Sequence, residues 1–193
     1  DTKGFLLHPI NDFDNAIKQL ALSPFQVAVH AIGDSSNRLI LDLYGKYLTN
    51  NEQRRWRIEH AQIINEEDLW KFKKYKIIPS IQPTHATSDM YWSIERLGPE
   101  RIKGAYAYAD LLNQYGKVAI GSDFPIEPIN PIFSFHAAVT RQKQNNLPQE
   151  GFEPNQRLTR EQALKGMTIW AAYSCFQEDK RGSIQKGKDA DFV

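Results

Sequence analysis

Short apolar runs alternate along the chain with stretches in which apolar residues recur at helical spacing. Four of the apolar runs predict buried strands: QVAVHAI, RWRIEH, IIPSI and KVAIGSD, at residues 26–32, 55–60, 77–81 and 117–123. Helical spacing predicts helices over 9–22, 37–48, 106–116, 131–142 and 159–176, and a further helix after Asn65. Strands that alternate with helices of this length are typical of βαβ units and a parallel sheet.

Cap residues support three of these helix boundaries. Asn65 precedes EEDLWKFKKYK, whose acidic residues come first and whose lysines come last. Gly116 is a natural helix end, and the pair Thr159 and Gln162 has the spacing of a capping box. The stretch 83–104 is long for a connection, and we expect a loop with short helical turns there.

The number of units leaves the architecture open. A full (β/α)₈ barrel typically needs about 250 residues, whereas this chain has 193 residues and four predicted βα units. The pattern therefore predicts either a small open α/β sheet or about half of a barrel. A complete small doubly wound protein is a third hypothesis, which predicts a monomer that melts cooperatively.

Composition excludes several classes of function. Lys plus Arg number 24 and Asp plus Glu number 23, so no basic surplus indicates nucleic acid. The longest apolar runs are far shorter than a membrane span, and the first residues do not resemble a signal peptide. The single cysteine rules out an intramolecular disulfide. We expect a small-molecule substrate, with neither nucleic acid nor membrane as a partner, and a cytoplasmic location.

Four polar residues stand at the carboxyl ends of the four predicted strands: His30, His60, His85 and Asp123. The carboxyl ends of parallel strands meet at one rim, where barrel enzymes place their active sites. Neutral imidazoles and a carboxylate are good ligands for zinc or a similar divalent ion. The alternatives are rim histidines with structural hydrogen bonds and, for Asp123, a helix cap.

The residues around these positions resemble the metal-dependent amidohydrolase superfamily, most closely its amidohydrolase 3 (YtcJ-like) group, which includes N-substituted formamide deformylases. The sequence segments that carry the resemblance are VAVHAIGD, RWRIEHAQ, SIQPTHATSD, ERIKGAYAYADLL, AIGSDFPIEPINP, LTREQALKGMTIWAAY and GSIQKGKDADFV. They occur in the same order and spacing from about residue 4 to the last residue.

The resemblance implies a distorted (β/α)₈ barrel with a small β-sandwich built from the two chain ends. It implies that His30 and His60 are metal ligands at the ends of strands five and six. Asp123, at the end of strand eight, would bind the metal and act as the catalytic general base. His85 would face the substrate, and we add Gln82, Tyr91 and Trp92 as substrate-binding residues.

The chain lacks the His-x-His pair that the family carries after strand one and the bridging ligand of strand four. The resemblance therefore predicts the C-terminal half of the barrel, strands five to eight, in residues 1–180, and the start of the β-sandwich segment in 181–193. We expect a part of a longer metal-dependent hydrolase of non-peptide carbon–nitrogen bonds. This part alone would be inactive and would hold zinc, or another divalent metal, weakly or not at all.

The missing N-terminal half would be its partner, and a homo-oligomer is a further expectation. The alternative function is a non-catalytic α/β fragment that binds a ligand or a partner.

Overall fold

A four-stranded parallel sheet forms the centre of the computed structural model, which describes residues 5–48 and 54–192. The strands are β1 (Ala28–Ala31), β2 (Arg57–His60), β3 (Ile78–Ile81) and β4 (Ala119–Ile120), and they lie side by side in the order β1-β2-β3-β4. The register pairs Ala31 with His60 and Ile81 with Ile120. All four predicted strands are therefore present, each shorter than its apolar run.

Eight α-helices accompany these strands in the described part of the chain. Their bounds are α1 (Ile10–Ala21), α2 (Asp34–Tyr47), α3 (Leu69–Tyr75), α4 (Pro83–Arg101), α5 (Tyr108–Tyr115), α6 (Pro131–Thr140), α7 (Arg160–Met167) and α8 (Ile169–Ser174). Three short 3₁₀ turns cover Glu66–Asp68, Ile102–Gly104 and Pro154–Gln156.

Sequential strand order determines how the chain winds. Parallel neighbours joined by right-handed crossovers in one direction place their helices on one face of the sheet. A doubly wound sheet instead reverses its strand order, and the described strands contain no reversal. The hypothesis of a small doubly wound protein is therefore wrong, and the fold is a mixed α/β fold with a singly wound parallel sheet.

The core lies between the sheet and its helices. Ile58 and Ile81 of the central strands are fully buried, as are Leu41 of α2, Phe72 of α3 and Leu111 of α5. Burial of a Leu, Ile or Phe side chain contributes roughly 1.5–3 kcal/mol. These contacts fix the helices against the sheet and hold its carboxyl edge in place.

The predicted caps are confirmed. The Asn65 side chain accepts a hydrogen bond from the Glu67 amide, and Gly116 ends α5 in the left-handed conformation. Thr159 and Gln162 form a capping box at the start of α7.

Two predicted stretches are wrong. Residues 83–104 form helix α4 and a 3₁₀ turn rather than a loop, because Pro83 occupies the first helical turn and the break comes only at Gly98 (φ 74°). The predicted single helix over 159–176 breaks at Thr168, whose hydroxyl donates to the Leu164 carbonyl at 2.7 Å. A hydroxyl that bonds back to the preceding turn competes with helix geometry.

The C-terminal segment from 181 to 192 contains turns and bends without a strand. The start of a β-sandwich segment there stays a prediction. Across the ranges 5–48 and 54–192, no helix is both long and apolar enough to cross a membrane.

We predict that Gly104→Ala destabilises the fold by about 1–3 kcal/mol, the usual cost of overpacking. A Cβ at this position would lie 1.9 Å from the Ile64 carbonyl oxygen, and a backbone atom cannot rotate away. Gly121→Ala is the matched control, since its Cβ would meet nothing within 4 Å. Urea unfolding of both variants checks the prediction, and equal midpoints would contradict it.

Candidate metal centre

The carboxyl edge of the sheet gathers the four polar residues that follow the strands. His30 lies in β1, and His60 is the last residue of β2. His85 lies in the first turn of α4, directly after β3, and Asp123 follows β4 by three residues. Parallel pairing therefore brings side chains from four separate parts of the chain to one rim.

The backbone at two of these positions departs from ordinary geometry. His60 and Asp123 have φ angles of 74° and 59°, in the left-handed region that most residues avoid. The register places His30 opposite Glu59, so regular alternation along the strands would send His30 and His60 to opposite faces. The left-handed φ at His60 ends this alternation, and the two rings meet edge to face with centroids 4.5 Å apart. Such conformations cost about 1–3 kcal/mol and concentrate at functional sites.

Three of the four side chains form a compact group of metal-ligating atoms. One ligand atom from each of His60, His85 and Asp123 lies within 4.8 Å of the other two. His85 Nε2 is 3.3 Å from Asp123 Oδ2, and the His60 and His85 rings stack with centroids 5.6 Å apart. Both histidines are buried, whereas the Asp123 side chain is 36% exposed. The group is therefore open to solvent on the Asp123 side.

The surroundings of His60 suit a metal ligand. Burial, together with the neighbouring His30, lowers the pKa of His60 and favours the neutral imidazole that binds metals. Its Nδ1 atom is buried without a hydrogen-bond partner, and an unsatisfied buried polar atom costs about 1–3 kcal/mol. Two imidazoles and a carboxylate are a donor set for a divalent cation. The residues present thus fit a metal ion.

The predicted ligand set and the observed group overlap only in part. His60 and Asp123 belong to both. His85, for which the resemblance implies a substrate contact, lies within the group, whereas His30 lies outside it with an exposed side chain beside His60. A ligand role for His30 stays a prediction.

The other predicted substrate residues occupy different places. Gln82 is buried at the start of α4, and its carbonyl accepts a hydrogen bond from the Tyr108 hydroxyl at 3.0 Å. Tyr91 and Trp92 are 62% and 48% exposed on α4. Trp92 is seven residues after His85, on the same helix face about 10 Å further along, whereas Tyr91 faces elsewhere. Contact of these residues with a substrate stays a prediction.

A hydrogen-bonded carboxylate that the sequence patterns did not single out, Asp89, lies close to the group. Asp89 Oδ2 accepts from the Tyr106 hydroxyl at 2.8 Å and from Gln62 Nε2 at 3.2 Å. Burial raises the pKa of Asp89, and the Tyr106 hydrogen bond opposes that rise. Asp89 stands four residues after His85, a spacing that shares a helix face. The spacing would have revealed Asp89 had the stretch been predicted as a helix.

A second carboxylate, Glu127, was also missed. It lies in the loop between β4 and α6, and its Oε1 atom is 3.1 Å from His85 Nδ1. Its side chain is only 13% exposed. An irregular loop has no periodic pattern, so the sequence offered no signal for this contact.

A groove of about 820 Å³ is lined by residues of α3, α5 and the end of α4, by the segment 63–66, by residues 103–104 and by Asp34 of α2. Trp70, Arg101 and Asp110 are among the residues that line it, and none of the predicted site residues does. The groove therefore does not belong to the candidate metal centre.

Comparison with known proteins identifies the family. Residues 2–193 match the model of the amidohydrolase family described as Amidohydro_3. The chain is 39% identical over 177 residues to Protein LONG AFTER FAR-RED 3 of Arabidopsis thaliana. This match covers 89% of the chain and 30% of the relative. It is 32% identical over 192 residues to the putative amidohydrolase YtcJ of Bacillus subtilis, which covers all of the chain and 36% of that relative.

A solved structure supports the same assignment. An uncharacterized metal-dependent hydrolase from Pyrococcus furiosus superposes with a TM-score of 0.82 at 32% identity, over 98% of this chain and 37% of that one. The chain therefore belongs to the amidohydrolase family, and it spans about a third of the length of the curated relatives it matches. Metal-dependent relatives and the His-His-Asp group together indicate a divalent metal.

We predict that Tyr106→Phe raises the pKa of Asp89 above its wild-type value. The Tyr106 hydroxyl donates to the ionised carboxylate and stabilises it, so its removal favours the protonated acid. A pH titration of the Asp89 carboxyl ¹³C shift measures the change. Tyr91→Phe removes an exposed hydroxyl from the same helix as Asp89 and should leave that titration unchanged. An unaltered pKa in Tyr106→Phe would contradict the prediction.

Proposed function

We propose that this chain is part of a metal-dependent hydrolase of non-peptide carbon–nitrogen bonds, with zinc as the metal and a small-molecule substrate. The observation that carries the proposal is the group His60, His85 and Asp123, which lies at the carboxyl rim of a parallel sheet. The family supports hydrolysis, and the bond specificity is our inference.

We also propose that residues 1–180 are strands five to eight of a (β/α)₈ barrel, followed by the start of a β-sandwich segment. The sequential strand order supports this proposal, since a barrel wall is built from consecutive parallel neighbours. Both edge strands, β1 and β4, have an unpaired side among the described strands. The missing half of the barrel would pair with these edges. The expected cytoplasmic location and homo-oligomer stay predictions.

Each residue of the group has a role in the proposed reaction. His60, His85 and Asp123 would hold the metal, which supplies a water of lowered pKa when bound. Asp123 would orient that water and accept its proton, because its partly exposed carboxylate lies on the open side of the group. His30, at the neighbouring strand end, is the further ligand that the resemblance implies.

We predict that the chain binds zinc weakly and that His60→Asn, His85→Asn and Asp123→Asn each weaken this binding. The loss should be at least the 10–100-fold that removal of an outer-shell partner typically causes. Calorimetric titration with zinc measures the affinities. His136→Asn is the control, because His136 lies in α6 beside Asn146 and Thr140.

Two comparisons make this titration decisive. If His30→Asn loses less zinc affinity than His85→Asn, the result would support the group His60, His85 and Asp123 over the ligand set His30, His60 and Asp123 that the resemblance implies. Equal affinity in all variants, or no binding by the wild type, would contradict the proposed group.

We predict that the 193-residue chain alone does not hydrolyse N-substituted formamides, because it lacks the His-x-His pair of the family. Joined behind the N-terminal part of the Bacillus relative, it should become active. Asp123→Asn should lower that activity by about 10²–10⁴-fold, the usual contribution of a general base. Amine release in the presence of zinc is the measurement.

If the 193-residue chain alone hydrolyses the substrate and Asp123→Asn abolishes this activity, the prediction is wrong, and the chain does not need the His-x-His pair for catalysis. Activity of the fusion that is unchanged in Asp123→Asn would favour the alternative function, a non-catalytic part that binds a ligand or partner.

A further inference from the structure

Glu127 and His85 form a contact that the proposed reaction does not yet use. Glu127 Oε1 lies 3.1 Å from His85 Nδ1, on the ring nitrogen that faces away from Asp123. The two side chains are 13% and 10% exposed, so water competes little for this hydrogen bond. The contact joins the β4–α6 loop to the first turn of α4.

Ser88 holds the same carboxylate oxygen from a second direction. Its hydroxyl donates to Glu127 Oε1 at 2.5 Å, and it lies three residues after His85 on the same helix face. Glu127 thus contacts two successive positions on one face of α4. Neither contact involves Lys or Arg, so the carboxylate is held by neutral or histidine donors.

The chemistry of this contact determines where the ring proton lies. An ionised carboxylate can only accept hydrogen bonds, and one neutral ring can donate to only one of the two carboxylates beside it. Glu127 is 13% exposed and Asp123 36%, so Glu127 has less access to water and the ring donates to it through Nδ1. In a neutral imidazole the other nitrogen, Nε2, then carries a lone pair. That atom lies 3.3 Å from Asp123 Oδ2, which is also an acceptor. Two acceptors at this separation require a cation or a proton between them.

We propose that Glu127, held by Ser88, is a positioning residue that fixes His85 as the Nδ1-protonated tautomer and presents the Nε2 lone pair to the metal group. A carboxylate on the far nitrogen of a ligating histidine orients the ring and raises its basicity. The role of the Glu127–His85 contact in hydrolysis rests on the proposed function. The tautomer itself does not, because it follows from contacts within the chain.

The test is ¹⁵N NMR of the histidine rings in the metal-free chain. The spectra are recorded at a pH of about 9, well above the ordinary pKa of histidine, where the two neutral tautomers differ in their pair of ¹⁵N shifts. His85→Asn assigns the His85 signals among the five histidines of the chain. We expect the proton of the wild-type ring on Nδ1.

Three variants and a control define the role of Glu127. Glu127→Leu removes the acceptor and should shift the His85 ring towards the Nε2-protonated tautomer. Glu127→Gln keeps an acceptor oxygen and should restore most of the Nδ1-protonated tautomer, and Ser88→Ala should give a partial shift. Glu95→Gln removes an exposed charge from the same helix and should change nothing.

Zinc titration of the same variants supplies the second readout. Glu127→Leu should weaken zinc binding by about 10–100-fold, as expected for an outer-shell partner, and Glu127→Gln by less. A wild-type ring protonated on Nε2, or a tautomer unchanged in Glu127→Leu, would overturn the proposal. A correct tautomer in a chain that binds no zinc would instead count against the proposed metal function alone.

Discussion

Parallel pairing of four consecutive strands is the constraint on which the candidate site depends. Because all four carboxyl ends lie at one rim, residues separated by as much as 63 positions come within metal-binding distance. The pairing alone is not sufficient, since His60 and His30 would face opposite sides of a regular sheet. The left-handed backbone at His60 brings their rings together, and the packed core compensates for its cost of about 1–3 kcal/mol.

A second set of contacts extends from the rim into the core. The backbone of Tyr106 is also left-handed. Its amide donates a hydrogen bond to the Gln62 carbonyl, and its hydroxyl donates one to the Asp89 carboxylate. Its own carbonyl accepts from the guanidinium of Arg141, which is fully buried. Burial lowers the pKa of Arg141, and its donors are directed at carbonyl oxygens of Tyr106 and Phe152. A substitution of Arg141 would therefore affect the hydrogen bond between Tyr106 and Asp89, although Arg141 itself does not contact the rim.

The sequence predicted the elements but only part of the site. Strand runs and caps are local patterns, so the four strands and the caps at Asn65, Gly116 and Thr159 could be predicted. Polar strand ends identified the rim, because that inference needs only the direction of the strands. Which rim residues approach one another depends on backbone torsions that no periodicity encodes. The misassigned stretch 83–104 also hid the helical spacing of Ser88 and Asp89 after His85.

Charge balance at the rim provides the strongest physical reason for a cation there. Asp89, Asp123 and Glu127 lie around His85, and in the ranges 5–48 and 54–192 none of these carboxylates pairs with Lys or Arg. A poorly solvated carboxylate is stabilised by protonation, by neutral donors or by a positive charge. The pKa of Asp89 is raised, which favours its protonated form, and the Tyr106 hydroxyl donates a hydrogen bond to its carboxyl group. Glu127 and Asp123 contact opposite nitrogens of His85 instead, and one neutral ring can donate to only one of them. Since Glu127 is the more enclosed of the two, the ring proton belongs on its side, and the carboxylate of Asp123, on the open side of the group, is left available to a cation.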